Sequence, residues 1–443
     1  MSRLHLIRLL AVTATALTTL VVGATDVSAR VVPDGGPYIV VPGPGSGTAF
    51  EIASNVERDE YFAVWSSGFN KDIVGQRLGA DGAPLGSPVV IAEGGGTRDA
   101  LDNWPPDITY NATTNQYLVV FTRGDWLEPI SGQSRFWTVF GQLVSDQGVL
   151  VGTEVRLNPP MGSSLGCVAQ VPNVTYDPST GGYVLVHSRF LCGDGNSRTV
   201  VRALDGSLSQ VASANFPLVS VGGYTFPAVA HNPVTNQIMV TQPYLQTGNP
   251  NLRRFPAQIY TSALVTVGGL NVIDVGPDSN HAIQQSTPVA DPVTGNWFVA
   301  TEANGCCAWT NLLSPSGESL RAGTRIHQGG MRGVAWVGDG TFVISTQSGN
   351  VVQVRADGTE IHTALTAVNA SGRNNAIAMG ADGKGVGIGN GISSGFTGSI
   401  VSYGFAVREP HVVTQTPARF YETRPGPDAG TFDNQQEATG RRA

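Results

Sequence analysis

The chain has 443 residues, of which only 13% are charged and 56 are glycine, and its formal net charge is −7. That length suits two or three ordinary domains or one large β architecture, and the composition favours short strands and tight turns over long surface helices. A negative balance with no run of Lys or Arg argues against a nucleic-acid partner.

The chain opens with Arg3, His5 and Arg8, followed by an uncharged, mostly apolar stretch from Leu9 to Ala24 and then Val27-Ser28-Ala29. This pattern predicts a signal peptide over residues 1–29, and hence a secreted or cell-surface protein. The apolar stretch is short and rich in Thr and Ala for a membrane span, and no later stretch reaches spanning length. A retained N-terminal anchor is the alternative.

Residues 30–408 read as one repeat. Asn111-Ala-Thr-Thr-Asn-Gln-Tyr117, Asp177-Pro-Ser-Thr-Gly-Gly-Tyr183, Asn232-Pro-Val-Thr-Asn-Gln-Ile238 and Asp291-Pro-Val-Thr-Gly-Asn-Trp297 are one turn written four times. Asp or Asn at its start can accept backbone N–H bonds, and Gly or Asn near its end tolerates left-handed geometry. Each copy runs into an apolar strand, such as Tyr117-Leu-Val-Val-Phe121. Worn copies precede Tyr61-Phe-Ala-Val-Trp65, Thr341-Phe-Val-Ile-Ser345 and Gly385-Val-Gly-Ile388. Seven copies at intervals of roughly 43 to 66 residues match units of four strands.

The second half of each unit repeats too. Ile73-Val-Gly-Gln-Arg-Leu78 before Asp81-Gly82, and Val351-Val-Gln-Val-Arg355 before Asp357-Gly358, read strand, turn, strand. Asp-Gly between alternating strands predicts type I′ hairpins. The fold expected is all-β, a seven-bladed propeller of four-stranded antiparallel blades. A pair of β-sandwiches also supplies many short strands, but does not repeat one four-strand unit at this period. The seventh unit lacks a fourth strand, and Tyr38-Ile-Val-Val41 lacks a partner in the first, so the N-terminal strand is predicted to close the ring.

Four cysteines in an exported chain point to disulfides before metals. Cys167 and Cys192 flank one blade's first hairpin and could bridge within it. Cys306 and Cys307 are adjacent; a vicinal disulfide, outward pairing and free thiols all remain open.

Tyr61-Phe-Ala-Val-Trp65 followed by Ile73-Val-Gly-Gln-Arg-Leu-Gly-Ala-Asp-Gly82 resembles a repeat of large exported bacterial proteins. The resemblance implies a propeller fold and an extracellular location, and supplies no catalytic residues. After a linker at 409–416, Pro417-Ala-Arg-Phe-Tyr-Glu-Thr-Arg-Pro-Gly426 is similar to the Arg-Leu-Leu-Asp-Thr-Arg-Pro start of a secreted module, with Phe420-Tyr421-Glu422 in place of Leu-Leu-Asp. Residues 417–443 are too few to bury a core, which predicts a truncated module or a solvated tail.

The connections between second and third strands lengthen in units two to five. They place Trp126, Trp137, Tyr244, Arg253, Arg254 and Trp309 as candidate ligand-binding residues on one side of one face. Aromatic platforms beside Arg suit a glycan or an extracellular protein partner; the plainer reading is that these aromatics pack on their own blades. No Gly-x-Ser-x-Gly elbow, His-Glu-x-x-His or calcium loop occurs, and the seven histidines show no ligand spacing. The residues suggest no catalytic group, no metal site and no cofactor. The adjacent cysteines resemble those of quinone-dependent dehydrogenase propellers, whose tryptophan-docking repeats are missing here, and the boxes of sialidase-like propellers are missing too. The expectation is a monomeric binding or surface-display propeller. The alternatives are a polysaccharide hydrolase or lyase with acidic residues in its channel, and a spacer for the module begun by the tail.

Overall fold

The computed structural model describes residues 30–408, except for segments between strands of which the longest are 95–105, 126–135, 159–167, 244–253, 276–282 and 392–398. The predicted signal peptide and the residues beyond 408 lie outside the described part. No described helix is long and apolar enough to cross a membrane.

The first strand, β1 (Arg30–Val41), is set apart from the blade that follows it in sequence. Blade 1 is β2 (Thr48–Asn55), β3 (Glu60–Ser66), β4 (Ile73–Leu78) and β5 (Pro84–Ala92). Blade 2 is β6 (Asp107–Asn111), β7 (Gln116–Asp125), β8 (Phe136–Ser145) and β9 (Leu150–Arg156). Blade 3 is β10 (Val168–Asp177), β11 (Gly182–Phe190), β12 (Asn196–Leu204) and β13 (Gln210–Val221). Blade 4 is β14 (Ala228–Asn232), β15 (Gln237–Thr241), β16 (Arg254–Thr261) and β17 (Thr266–Asp274). Blade 5 is β18 (Ile283–Ala290), β19 (Trp297–Ala303), β20 (Cys307–Leu313) and β21 (Ser319–His327). Blade 6 is β22 (Met331–Trp336), β23 (Thr341–Thr346), β24 (Asn350–Arg355) and β25 (Glu360–Leu365). Blade 7 has a two-residue strand β26 (Val368–Asn369), then β27 (Asn375–Met379), β28 (Lys384–Gly391) and β29 (Ile400–Arg408), and β1 completes it on the outside. The molecule is a seven-bladed β-propeller, as the repeat implies.

The ring closes where the sequence predicts, over a longer strand. β1 pairs antiparallel with β29 from Arg30↔Arg408 to Val41↔Ile400. Side chains then lock blade 7 to both neighbours. Val31 N–H donates to Gln353 Oε1 of blade 6 at 3.0 Å. Toward blade 1, Tyr38 OH donates to Asp81 Oδ2 at 2.8 Å and Ser402 Oγ to the Gly82 carbonyl at 2.6 Å.

The core lies between blades, because each sheet buries both faces. Tyr61, Ala63 and Trp65 pack on Ala376 and Ile388 of blade 7, whereas Phe62 and Val64 on the opposite side of β3 pack on Tyr117 and Val119 of blade 2. The two sides alternate residue by residue, so a strand such as β3 reads as a continuous apolar run.

The first-to-second-strand turn has the chemistry read from its sequence. Asn111 Oδ1 accepts from Thr113 N–H at 2.9 Å, Asp177 Oδ1 from Ser179 N–H at 3.0 Å, and Asn232 Oδ1 from Val234 N–H at 3.0 Å. The fifth residue is left-handed at Asn115, Gly181, Asn236 and Gly295, with φ between 51° and 73°. The worn first copy is Asn55 to Asp59, where Asn55 Oδ1 accepts from Glu57 N–H at 3.1 Å and Asp59 has φ 52°. The free amide of the leading Asn reaches across blades: Asn232 Nδ2 donates to the Gly295 carbonyl at 2.7 Å.

The Asp-Gly hairpins differ from the type I′ expectation. Gly82 and Gly358 are left-handed (φ 86° and 79°), but Asp81 and Asp357 are not. Gly82 N–H returns to the Gly79 carbonyl at 2.9 Å, which closes a four-residue type I turn ended by a left-handed bulge. Aspartate therefore occupies an ordinary turn position and only the last residue needs positive φ. In blade 3 that last residue is Leu208 (φ 68°) rather than the glycine of Asp205-Gly206.

Candidate functional site

The innermost strands of the seven blades stand side by side and enclose a cavity of about 280 Å³. Every blade contributes to its wall: Glu51 from β2, Asp107 from β6, Asn173 from β10, Val229 from β14, Ser286 from β18, Val334 from β22 and Ile377 from β27. Among the described residues two carboxylates therefore line the channel, Glu51 and Asp107, on adjacent blades.

Asp107 is tied into a chain of bonds running from blade to blade. Its Oδ2 accepts from Asn173 Nδ2 at 2.7 Å and from Val174 N–H at 2.6 Å, both on blade 3. Asn173 Oδ1 in turn accepts from Val229 N–H of blade 4 at 2.7 Å. Farther along the ring, Ser286 Oγ of blade 5 donates to Thr241 Oγ1 of blade 4 at 2.8 Å. Burial pushes the Asp107 carboxyl up to about 7, against the pull of N–H bonds from Val174 and Ile108 that favour the anion. A carboxyl that titrates near neutrality has the pKa of a general acid or base. Its hydrogen bonds give it a second, structural task.

Two cavity-lining residues carry backbone strain. Ala49 (φ 60°) and Val171 (φ 54°) are left-handed, each at an irregularity in the pairing of an innermost strand. For a β-branched residue such as Val171 that geometry costs on the order of 1–3 kcal/mol. The bulges lie just before Glu51 and Asn173, and a bulge changes where the following side chains aim.

Of the residues singled out in the sequence, Trp126, Tyr244, Arg253, Cys167, Cys192 and Cys306 lie outside the described residues. Trp137 sits on β8 opposite Gly124, and Arg254 on β16 opposite Asp274, both at the strand ends that carry the long connections. Trp309 requires a correction: it is not a loop residue. It lies within β20 opposite Thr301, is 3% exposed, and packs with Phe255, Ala257 and Ile273 of blade 4. The reason is the buried run Cys307-Ala-Trp309, which extends β20 upstream and shortens the connection to residues 304–306. Cys307, on the same strand, is buried, and no free cysteine occurs among the described residues.

Sequence reasoning anticipated acids in the channel without naming them. Asp107 and Asn173 stand in similar segments, Pro106-Asp-Ile-Thr109 and Pro172-Asn-Val-Thr175, of the innermost strands of consecutive blades.

No protein-family model and no curated protein sequence matches the chain. Solved structures share its fold. A protein of unknown function from Dyadobacter fermentans is 10% identical, with 85% of this chain and 99% of that chain covered and a TM-score of 0.52. Chaetomium thermophilum Raptor is 9% identical at a TM-score of 0.50 over 86% of this chain, which spans only 30% of the Raptor chain. The WD40 β-propeller domain of Doa1 is 11% identical, with 84% and 97% covered and a TM-score of 0.48. Likenesses at this identity concern the fold alone.

Proposed function

We propose that this protein is an extracellular, non-catalytic binding or surface-display propeller, monomeric, whose ligand is a glycan or an extracellular protein. The observation that carries this reading is the difference between the two ends of the barrel of blades. At one end the turns are short and held by their own Asx bonds and by links such as Asn232 to Gly295. At the other, long connections leave β7 and β15, and the sequence stocks them with Trp126, Tyr244 and Arg253. A rigid frame presenting variable loops is a physical arrangement suited to recognition. N-terminal sequencing of the exported protein tests the location, and a start at Arg30 is the expected result. A glycan-array screen of the full chain beside Trp126→Ala and Trp137→Ala tests the ligand. Selective binding lost in either variant supports the glycan reading, and a folded protein silent on the array overturns it in favour of a protein partner.

The second reading, a polysaccharide hydrolase or lyase, draws on Asp107 and Glu51 sharing one cavity, with Asp107 titrating near 7. It requires turnover of an acidic or neutral polysaccharide that Asp107→Asn abolishes without unfolding the chain.

A further inference from the structure

The central cavity is walled by the inward edges of the innermost strands. Each of these strands pairs with the second strand of its blade on one side and turns its other edge to the channel. In an antiparallel strand the N–H and C=O of one residue point the same way, and those of the next residue point the opposite way. The turns fix which residues face inward. Val337 N–H bonds the Thr341 carbonyl and Gly380 N–H the Lys384 carbonyl, so Val334 and Ile377 turn their N–H and C=O away from their sheets. Ile52, Val174 and Val229 hold the corresponding places in blades 1, 3 and 4.

Two of these inward N–H groups are capped by a side chain of the preceding blade. Asp107 Oδ2 accepts from Val174, and Asn173 Oδ1 accepts from Val229. Blade 5 has Pro288 at this place and hence no N–H. Correspondingly, the capping place before it in blade 4 is Ala228, which offers no acceptor.

The other three inward N–H groups differ. The capping places before them are Thr287, Gly333 and Ala376. Among the described residues no side chain accepts from the N–H of Val334, Ile377 or Ile52. A Cβ added to Gly333 would lie 3.2 Å from Ile377 N, so the missing side chain is what leaves that N–H open to the cavity. Ile52 and Ile377 are only 9% and 6% exposed, and buried N–H groups are nearly always paired. Three consecutive blades therefore present donors that need an occupant.

The rest of the wall sets the chemistry of that occupant. Each inward residue offers a C=O beside its N–H, so a carboxylate, which only accepts, would also meet carbonyls. A hydroxyl donates and accepts, and suits both. Asp107 and Asn173 add polar groups, while Pro106, Pro172, Pro227 and Pro288 give the wall an apolar side against which C–H groups can pack. The volume of about 280 Å³ is at the lower limit of about 300 Å³ for small-molecule sites. The lining residues lie upstream of the short turns, toward the loop-bearing end.

We propose that the channel is the pocket for a single uncharged terminal sugar residue of a glycan. The inward N–H and C=O groups of Ile52, Val334 and Ile377 hold its hydroxyls, and the remaining chain leaves toward the loop-bearing face. This inference rests on the glycan reading above and narrows it to recognition of chain ends.

The test is titration of the full chain with D-glucose, D-galactose, D-mannose and N-acetyl-D-glucosamine, followed by NMR of isotope-labelled isoleucine amides, beside the glycan array. At least one free sugar is expected to bind and to shift the amide resonances of Ile52 and Ile377. The glycans bound on the array should share that sugar as their terminal residue. Gly333→Asn gives blade 6 the side chain with which Asn173 caps Val229, and fills the place beside Ile377 N–H. It should weaken sugar binding by about 10-fold or more. Gly333→Ala fills less of that place and should weaken binding by about 3-fold. Thermal midpoints check that both variants fold, and the isoleucine resonances of wild type need no variant. Sugar binding that leaves Ile52 and Ile377 unmoved, unchanged affinity in folded Gly333→Asn, or array binding set by internal sequence each overturns the proposal. If the array shows binding while the free sugars are silent, this inference fails and the glycan reading stands. If neither shows binding, both fail.

Discussion

Asp107→Asn separates the electrostatic from the hydrogen-bonding role of the channel carboxyl. Burial raises the Asp107 pKa from 3.8 to about 7 in the folded chain. A group raised in this way stabilises the fold fully below its unfolded pKa, and that stabilisation is lost as pH rises through the folded value. The displacement corresponds to about 4 kcal/mol for a fully buried group. Asparagine keeps an oxygen for Asn173 Nδ2 and Val174 N–H but cannot ionise. The stability of the variant relative to wild type should therefore climb by about 4 kcal/mol between pH 4 and pH 8. His187 acts with the opposite sign. Burial first, and then the charge of Arg202, lowers its pKa from 6.5 to about 3. Its stabilisation is present above pH 6.5 and is lost as pH falls through 3, at a limiting slope of about 1.4 kcal/mol per pH unit. Between pH 4 and 6.5 the two slopes oppose each other in wild type, and Asp107→Asn leaves the His187 slope alone. Urea unfolding followed by tryptophan fluorescence at pH 4, 5, 6, 7 and 8 measures both proteins. A difference that stays flat across that range refutes the reasoning, because it means Asp107 remains an anion held by its blade 3 donors.

Other positions give sharper structural readouts. Tyr38→Phe removes the bond to Asp81 across the ring closure and should lower the midpoint of chemical unfolding. Deleting β1 leaves β29 as an open edge, and light scattering should then show self-association. Asn232→Ala strips the turn of the bonds that the fully buried Asn232 side chain makes to Val234, Thr235 and Gly295 and should cost about 2–3 kcal/mol. Asn232→Asp keeps the turn acceptors but sets a carboxylate oxygen against the Gly295 carbonyl in place of the donor, so it should recover only part of the loss in the same unfolding assay. Gly82→Ala forces a Cβ to 2.8 Å from the Tyr403 carbonyl carbon at φ 86°, so its thermal midpoint should drop sharply. Gly181→Asn meets open space and a φ that Asn115 already adopts, so its stability should change by less than about 0.5 kcal/mol.

The elements legible in the sequence are those whose causes are local. The Asx turn is complete within five residues: Asn232 caps Val234, and Asn236 accepts the left-handed angle, so the repeat could be counted and the propeller inferred. The missing strand of the seventh unit and the spare one at Tyr38 to Val41 settled the closure by the same accounting of edges. Local signals misled where two local solutions exist, as at Asp81-Gly82, because Asp-Gly serves a type I turn with a bulge as well as a type I′ hairpin. They also missed Trp309, whose burial follows from the blade 4 residues Phe255 and Ala257 that reach it only in the folded ring. The channel belongs wholly to tertiary structure. Asp107 and Asn173 are 66 residues apart in sequence, and only adjacent innermost strands bring them to 2.7 Å. Nothing near either residue encodes that bond, since the low dielectric that shifts Asp107 and the partners that hold it arrive from the next blade. For the same reason Arg202 reads in sequence as one more strand residue. Its burial beside His187 exists only once β11 and β12 are paired and pressed against blade 2.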